Sequence, residues 1–486
     1  MNRSQIADRN DNLFKWGLIA VVAIVLGGVT LLFERLETQW GLLTLILVAG
    51  AALLPMLGEL RRWLLAVAIV DTPLELDKYL GYDDLLGEAG TIAGLGISLT
   101  TICLVALYVL WILNYVFNRN ERYRNWEEPA RPLALYLCFL FLSILVAQEI
   151  NLAGFELFMV VQIFLLHVYI IGNVQTKRDL EFVVVIMMAA LTLESLLALV
   201  APLVSGEEGY EIAGLELVAW GTRTAGTLGS PNTAASYFVP MMLVAAGAYL
   251  ADFGRITKLA AAIAFGLGLI VLILTESRGG WLSFAIALGL FSLIALYKGW
   301  ISLKLPLALL GLMSVPLLLL SQTILLRLTQ DDNKSAFSRI PLMRLAFTMI
   351  QDNWVLGVGA NNFAIRIEDY LRGDTALEWI FTVHNKYLLV WAENGLFALL
   401  AFCAFLLITI WRGLFAITTK HTLAPLAVAI GCGVIATGIH MNFDIFNSRP
   451  QVQSLWILAA VAVVVRRMIV EEREEQGVGS KKNQQP

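Results

Sequence analysis

Fourteen apolar runs, separated by shorter polar stretches, divide the chain. They cover 16–33, 40–57, 63–70, 95–117, 131–148, 155–173 and 180–203, and then 232–250, 258–275, 280–297, 303–320, 385–411, 423–440 and 452–466. Most approach the ~20 residues that an α-helix needs to cross a bilayer. The run at 63–70 is too short to cross alone, and its continuation DTPLELDKYL reads as a broken or re-entrant half. One connection, 321–383, is much longer than most others. Within it, SRIPLMRLAFTMIQDNWVLGVG mixes Ile340, Met343, Leu345, Phe347 and Ile350 with Arg339 and Arg344, which reads as an amphipathic helix at the membrane surface. GVGANNF then makes a Gly-rich turn, and a second helix leads into EWIFTVHNKYLL. A long segment with its own helices reads as a lid. The pattern predicts an all-α polytopic membrane protein. It has an amino-terminal tail over 1–15, a bundle over 16–320, the lid over 321–383, further spans over 384–470 and a polar, disordered tail over 471–486.

Composition agrees. The chain is 58% hydrophobic and only 15% charged, with a mean hydropathy of +0.75. Soluble domains are less apolar and richer in charge. The polar start MNRSQIADRNDNLFKW precedes a run without a small-residue cleavage site, so that run reads as a retained span. Cys103, Cys138, Cys403 and Cys432 all lie in apolar runs without a CxxC pair and imply neither disulfide nor metal. No internal repeat is apparent, which argues against an inverted-repeat transporter.

Charge placement orients the chain. With a cytoplasmic amino terminus and every run crossing, the inner connections hold Arg61 and Arg62, Arg119, Arg122 and Arg124, Lys177 and Arg178, Arg255 and Lys258, Lys298 and Lys304, Arg412 and Lys420, and Arg466 and Arg467. Every one is basic, as the positive-inside rule requires. Without a crossing at 63–70 the later basic connections would fall outside, so about fourteen spans with both termini cytoplasmic are expected. Against this trend, Arg223, Arg278, Arg339, Arg344, His384, His440 and Arg449 fall on the outer side.

Three outer motifs stand out: WGTRTAGTLGSPNTAASYF from Trp220, TESRGGWLSF from Thr275, and VHNKYLLVWAENGLFAL from Val383. Together they resemble the O-antigen ligase and O-antigen polymerase superfamily of membrane glycosyltransferases. The resemblance is carried by R-x-x-G-T-x-x-x-P-N, S-R-G-G-W and H-N-x-Y-L-x-x-x-x-E-x-G-x-x-x-L. The Gly-x-Gly turn in DNWVLGVGANNF adds to it. It covers residues 220–400 well and the amino-terminal half in hydropathy only. At Asn353-Trp354 relatives often carry a proline before the turn. The resemblance implies a fold related to type C glycosyltransferases and a bacterial inner-membrane location. It also implies metal-independent, inverting transfer of a glycan from polyprenyl (undecaprenyl) pyrophosphate to a hydroxyl on a lipid core, another glycan or a protein. Lipopolysaccharide or exopolysaccharide would be the product. No cofactor and no nucleic acid are implied.

The residues support that chemistry independently. A departing lipid pyrophosphate gains negative charge, and a guanidinium binds two oxygens at once without losing its proton. Arg223 and Arg278 sit at outer span edges and read as the pyrophosphate clamp; the plainer reading of Arg278 is a snorkelling anchor. Gly279 and Gly280 would let the chain turn tightly beside a phosphate. His384 is the natural general base. Around these, Tyr387 lies one turn from His384, His440 and Arg344 are supporting candidates, and Asn232 is either a helix cap or a ligand contact. Asp444 either orients a base or clamp or pairs with Arg449, and Glu393 reads as packing or interhelical bonding. The competing class is a small-anion transporter of the bicarbonate type, which would need ionisable or helix-breaking features near midmembrane.

Overall fold

The computed structural model describes residues 60–117, 127–204, 209–212, 214–221, 223–304, 307, 311, 335–371 and 381–482. The runs at 16–33 and 40–57, nearly all of 303–320, Arg119, Arg122, Arg124, the first part of the lid and residues 372–380, which include the later part of the stretch expected to be helical before EWIF, lie outside the described residues.

The described chain starts with α1 (Leu60–Leu74). Next comes an antiparallel hairpin of β1 (Asp77–Leu80) and β2 (Leu95–Ser98), paired from Asp77↔Ser98 to Leu80↔Leu95 and enclosing α2 (Asp84–Glu88). The expected half-helix at DTPLELDKYL is therefore a helix end and a strand. Pro73 stands in the last turn of α1, and Glu75 takes a left-handed φ of 48°, which turns the chain out of the helix. Then follow α3 (Leu99–Phe117), α4 (Glu127–Ser143), α5 (Ile150–Asn173) and α6 (Lys177–Val204). A three-stranded meander comes next: β3 (Tyr210–Ile212), β4 (Leu215–Trp220) and β5 (Arg223–Gly226). It leads into α7 (Pro231–Leu250), α8 (Arg255–Leu274) and α9 (Arg278–Tyr297). Beyond the long connection lie α10 (Ser335–Asp352), α11 (Ile367–Tyr370), α12 (Lys386–Leu414), α13 (Ala424–His440) and α14 (Arg449–Lys482).

Nine of the described helices are long and apolar enough to cross a membrane, and α13 is a shorter apolar helix. This is a polytopic helical architecture, with two small sheets that the hydropathy pattern did not signal. The tail from Glu471 also continues α14 as helix to Lys482, where a disordered segment was expected; EEREEQ is rich in strong helix formers.

α7 and α14 occupy the centre, with 78% and 83% of their spans buried against 33% for α3, α8 and α9. Small residues permit that closeness, as in membrane helix pairs generally. A Cβ on Gly247 of α7 would strike Ala429 of α13. Leu259, Ile263, Ile270, Leu282, Ile286 and Leu293 point outward from α8 and α9, a lipid-facing pattern. One end of the bundle collects the basic connections. There Arg62 pairs with Asp179 (2.7 Å), Lys177 with Asp252 (2.8 Å) and His421 with Glu472 (2.6 Å), while Arg467 donates to the Ile171 carbonyl (2.9 Å).

The lid rests at the other end. α10 buries Leu342, Leu345, Ala346, Met349 and Ile350 against the start of α12, a stripe at helical spacing. Ile340 and Phe347, expected on the apolar face, are exposed instead. The Gly-x-Gly turn plugs a break in α12, where Gly395 has φ 82°. Val358 N–H donates to Ala392 O (2.8 Å), Gly359 N–H to Glu393 O (3.0 Å) and Leu396 N–H to Trp354 O (2.9 Å). The Glu393 carboxylate accepts from Phe363 N–H (3.0 Å). Asn361 bonds Ile92 and Leu152, and Asn362 bonds Glu149, tying the same turn to two further connections.

A Cβ at Gly395 would collide with the Val355 carbonyl in addition to meeting the left-handed penalty. Gly395→Ala is expected to lower stability by about 1–3 kcal/mol. Thermal unfolding in detergent would register this as a clear drop in midpoint, and an unchanged midpoint would contradict the plug.

Candidate functional site

Three helix starts meet at the lid end, and each is capped by a side chain. Ser230 Oγ accepts from Thr233 N–H at the start of α7 (3.1 Å), Ser277 Oγ from Gly280 N–H at the start of α9 (3.3 Å), and Asn385 Oδ1 from Leu388 N–H at the start of α12 (3.0 Å). Helix N-termini carry unpaired N–H groups and positive potential, so they favour anions.

The first motif sets Arg223 against the second. Gly226 has φ 67°, and a Cβ there would strike Glu194 of α6. That carboxyl receives Thr227 N–H (2.9 Å), and the Thr227 hydroxyl bridges Glu194 Oε2 (2.5 Å) and Pro73 O (2.8 Å). Strand β5 is thereby fixed from behind. Arg223 Nε donates to Thr275 O (3.0 Å), and its Nη2 lies 3.5 Å from Asn232 Oδ1, which also accepts from Ser277 Oγ (3.0 Å). Asn232 thus links the two motifs. The capping role considered for it belongs to Ser230.

Arg278 is the first residue of α9, one position after the Ser277 cap. Glycine was expected to make this turn, but Glu276 makes it, at φ 51°. The two glycines serve close packing instead. A Cβ on Gly280 would lie 2.6 Å from the Ala235 Cβ, and one on Gly279 would lie 3.3 Å from Phe443 and 3.5 Å from His440 Nδ1. Arg223, Asn232, the start of α9 and His440 therefore share one neighbourhood.

His440 ends α13 and is buried, with Asp444 Oδ2 3.7 Å from its Nε2. Asp444 is held by Gln451 Nε2 (2.5 Å), whose amide also reaches Ser236 Oγ (2.8 Å). It does not pair with Arg449, which instead binds Asp71 (3.0 Å) and Asp77 (2.8 Å). Those carboxylates come from a distant connection, so nearness in sequence misled.

His384 stands just outside α12, because the Asn385 cap is extended at φ −158°. Its ring stacks on Phe381 at 4.9 Å and 21°. Burial and the Arg339 charge push its pKa down to about 4, against the raising influence of Asp444. Tyr387 does not share a helical face with it, and its hydroxyl donates to Gly438 O on α13 (2.8 Å). Arg344 is exposed on α10 and not drawn into this cluster. The lid arginine that is drawn in is Arg339, whose Nη1 donates to Phe443 O (3.3 Å) and whose charge acts on both His384 and His440. Sequence spacing offered a hint, since Arg339 lies one helical turn from Met343 and faces inward with it. Glu194 and Gln451 gave no local signal at all. Among the described residues no three His, Cys, Asp or Glu side chains group as metal ligands.

The assembly defines a multi-pass membrane protein with a cationic, helix-N-terminal site beneath a lid. Residues 263–403, which hold the second and third motifs, match the family model described as O-Antigen ligase, and this supports the O-antigen ligase and polymerase superfamily. The match supports a glycosyltransferase-like reading. No curated protein matches the chain.

Removing the Arg339 charge should ease protonation of His384. Arg339→Gln is expected to raise the imidazole pKa from about 4 toward its ordinary 6.5 without fully reaching it, since burial is the larger cause. Histidine-resolved NMR titration in nanodiscs would measure this; a pKa that falls or stays fixed would contradict the assignment.

Proposed function

We propose that the protein transfers a glycan from a polyprenyl pyrophosphate to an acceptor hydroxyl at the outer face of the bacterial inner membrane, as an O-antigen ligase or polysaccharide polymerase. Both termini would then be cytoplasmic. The observation that carries this reading is the meeting of Arg223, the Arg278 turn, two helix N-termini and two histidines under one lid.

In the proposed reaction His384 takes the acceptor hydroxyl proton as the oxygen attacks the anomeric carbon. The bond from that carbon to the pyrophosphate oxygen breaks on the opposite face, which inverts the centre. Arg223 and Arg278 receive the charge developing on the leaving group, with the N–H groups that open α7 and α9 behind them. Fixed guanidinium groups supply what a divalent ion supplies elsewhere, so transfer is expected to survive chelation. His440 and Asp444 line the same end, where Asp444 raises the basicity of His384.

Two sets of variants separate base from clamp. His384→Ala should lose about 10²–10⁴ in single-turnover transfer while still binding donor lipid. Arg223→Lys and Arg278→Lys should weaken donor binding itself, because an ammonium does not reproduce the paired hydrogen bonds. Wild-type transfer by His384→Ala would remove the base assignment.

The pH profile gives a second check. In the free protein His384 is neutral above about pH 4. Bound pyrophosphate adds negative charge nearby, which favours the imidazolium and raises that pKa. The acidic limb of kcat should therefore lie at higher pH than the limb of kcat/KM. Coincident limbs would mean that donor charge does not reach the base.

A further inference from the structure

A cavity of about 200 Å³ opens beside the β1–β2 hairpin on the lid end of the bundle. Its walls include Glu75, Tyr79, Tyr82, Gln162, Ser448 and Arg449, together with several glycines. We propose that this cavity is a saccharide subsite that holds one sugar ring of the glycan being transferred or extended. The proposal rests on the glycan-transfer reading above.

The cavity has an aromatic wall built on purpose. Tyr79 and Tyr82 lie against each other at 5.2 Å, line the cavity and remain 39% and 50% exposed. Glycines occupy the places where side chains would dislodge them. A Cβ on Gly96 would come within 3.1 Å of the Tyr79 ring, and one on Gly94 within 3.1 Å of Tyr82 Cα and 3.2 Å of its ring. A Cβ on Gly87 would strike the Tyr82 hydroxyl. Tyrosine offers an apolar face to the C–H groups of a sugar and a polar tip to its hydroxyls.

The polar lining suits a neutral polyol better than an anion. Arg449 is already engaged by Asp71 and Asp77, both bonds being 3.0 Å or shorter. Glu75 stands beside these three and makes no salt bridge among the described residues, and burial followed by the Asp77 charge pushes its carboxyl up to about 8. A carboxyl kept protonated near neutral pH both donates and accepts hydrogen bonds, as sugar hydroxyls do. Ser448 Oγ is buried with no hydrogen-bond partner among the described residues, a group that a ligand hydroxyl would satisfy. A phosphate would meet the carboxyl groups of Glu75 and Asp77 and one neutralised guanidinium. A few placed polar groups in an otherwise formed pocket is the usual character of a small-ligand site.

Position links the cavity to the chemistry. Its wall at Gly90 is backed by Phe381, whose ring would be 3.2 Å from a Cβ there, and Phe381 stacks on His384. Thr382 N–H donates to Ala89 O (2.9 Å), and Asn447 Nδ2 to Gly90 O (2.7 Å), so the hairpin and the segment carrying His384 are held together. A glycan reaching His384 would have its neighbouring ring within reach of this wall.

The test uses the full chain in nanodiscs with two probes: oligosaccharides released by mild acid from the cells' own surface polysaccharide, and sugar-free polyprenyl pyrophosphate. Tyr82→Ala, Glu75→Gln and Ser448→Ala should each weaken oligosaccharide binding, by about tenfold for Tyr82→Ala. Affinity for sugar-free polyprenyl pyrophosphate should stay at the wild-type value. In turnover, the KM rise should fall on the donor if the bound ring is the donor's and on the acceptor if it is the acceptor's; either supports the subsite. Wild-type oligosaccharide affinity in all three variants, or no oligosaccharide binding by wild type, overturns it. Failure of wild type to bind sugar-free polyprenyl pyrophosphate would instead strike the pyrophosphate clamp, leaving the subsite result to stand separately.

Discussion

The first N–H groups of a helix have no partner within it, and inside a membrane protein water is not at hand to satisfy them. Three helices begin at the lid end, and Ser230, Ser277 and Asn385 each answer that constraint with a side-chain cap. The recognisable motifs are built around those caps. Asn232 follows its cap by two positions, Arg278 by one, and His384 precedes its cap by one. Arg278 is the telling case. A cation at a helix N-terminus is placed against the dipole, at a cost of about 0.3–1 kcal/mol when exposed. Helix stability therefore does not explain an arginine there. An anion that drew on the guanidinium and the N-terminal N–H groups together would reverse the sign of that cost.

The second constraint is the break in α12. A membrane-embedded helix interrupted at Gly395 leaves backbone groups that must be paired, and the lid's Gly-x-Gly turn supplies the partners. Gly357 at φ 74° and Gly359 at φ 107° are needed because their Cβ atoms would strike Glu393 and Ala147. The lid is thus an integral part of the bundle at its carboxy-terminal base, and α10 reaches from that base to place Arg339 over the histidines. Glu393, Asn394 and Gly395 belong to the third motif for this architectural reason, with Asn394 Oδ1 accepting from Ser143 (2.7 Å).

Hydropathy made the helical, membrane-crossing character and most of the described span positions legible, and the basic connections marked one end of the bundle. Motif order brought Arg223, Arg278, Asn232 and His384 into view. What escaped had physical causes. Pairing with Arg449 was one of the two readings of Asp444, but the partners of Arg449, Asp71 and Asp77, lie far away in sequence. Tyr387 was given to His384 by helical spacing, although the helix starts only after the histidine. Arg344 and Arg339 are similar in a linear reading, and only the packing of α10 separates the exposed one from the engaged one. Glu194 and Gln451, buried polar residues on helices that read as ordinary spans, carried no periodic signature. The small sheets were hidden because short strands between spans are too brief to register in a hydropathy window.

Buried carboxyl groups within the bundle bear on the transporter alternative. Ionisable residues inside a membrane protein ordinarily mark a pathway, and Glu194 and Glu393 are such residues. Each, however, is consumed by backbone and hydroxyl donors of a motif: Glu194 by Thr227, Glu393 by Phe363. They fix loops at the lid end. Arg223, Arg278 and Arg339 lie at the same end, and Arg339 also suppresses protonation of His384. In the proposed reaction that arrangement has an order built into it. The base is held weak while the site is cationic, and it strengthens as the donor's negative charge arrives, so an acceptor is activated chiefly when there is a glycan for it to attack.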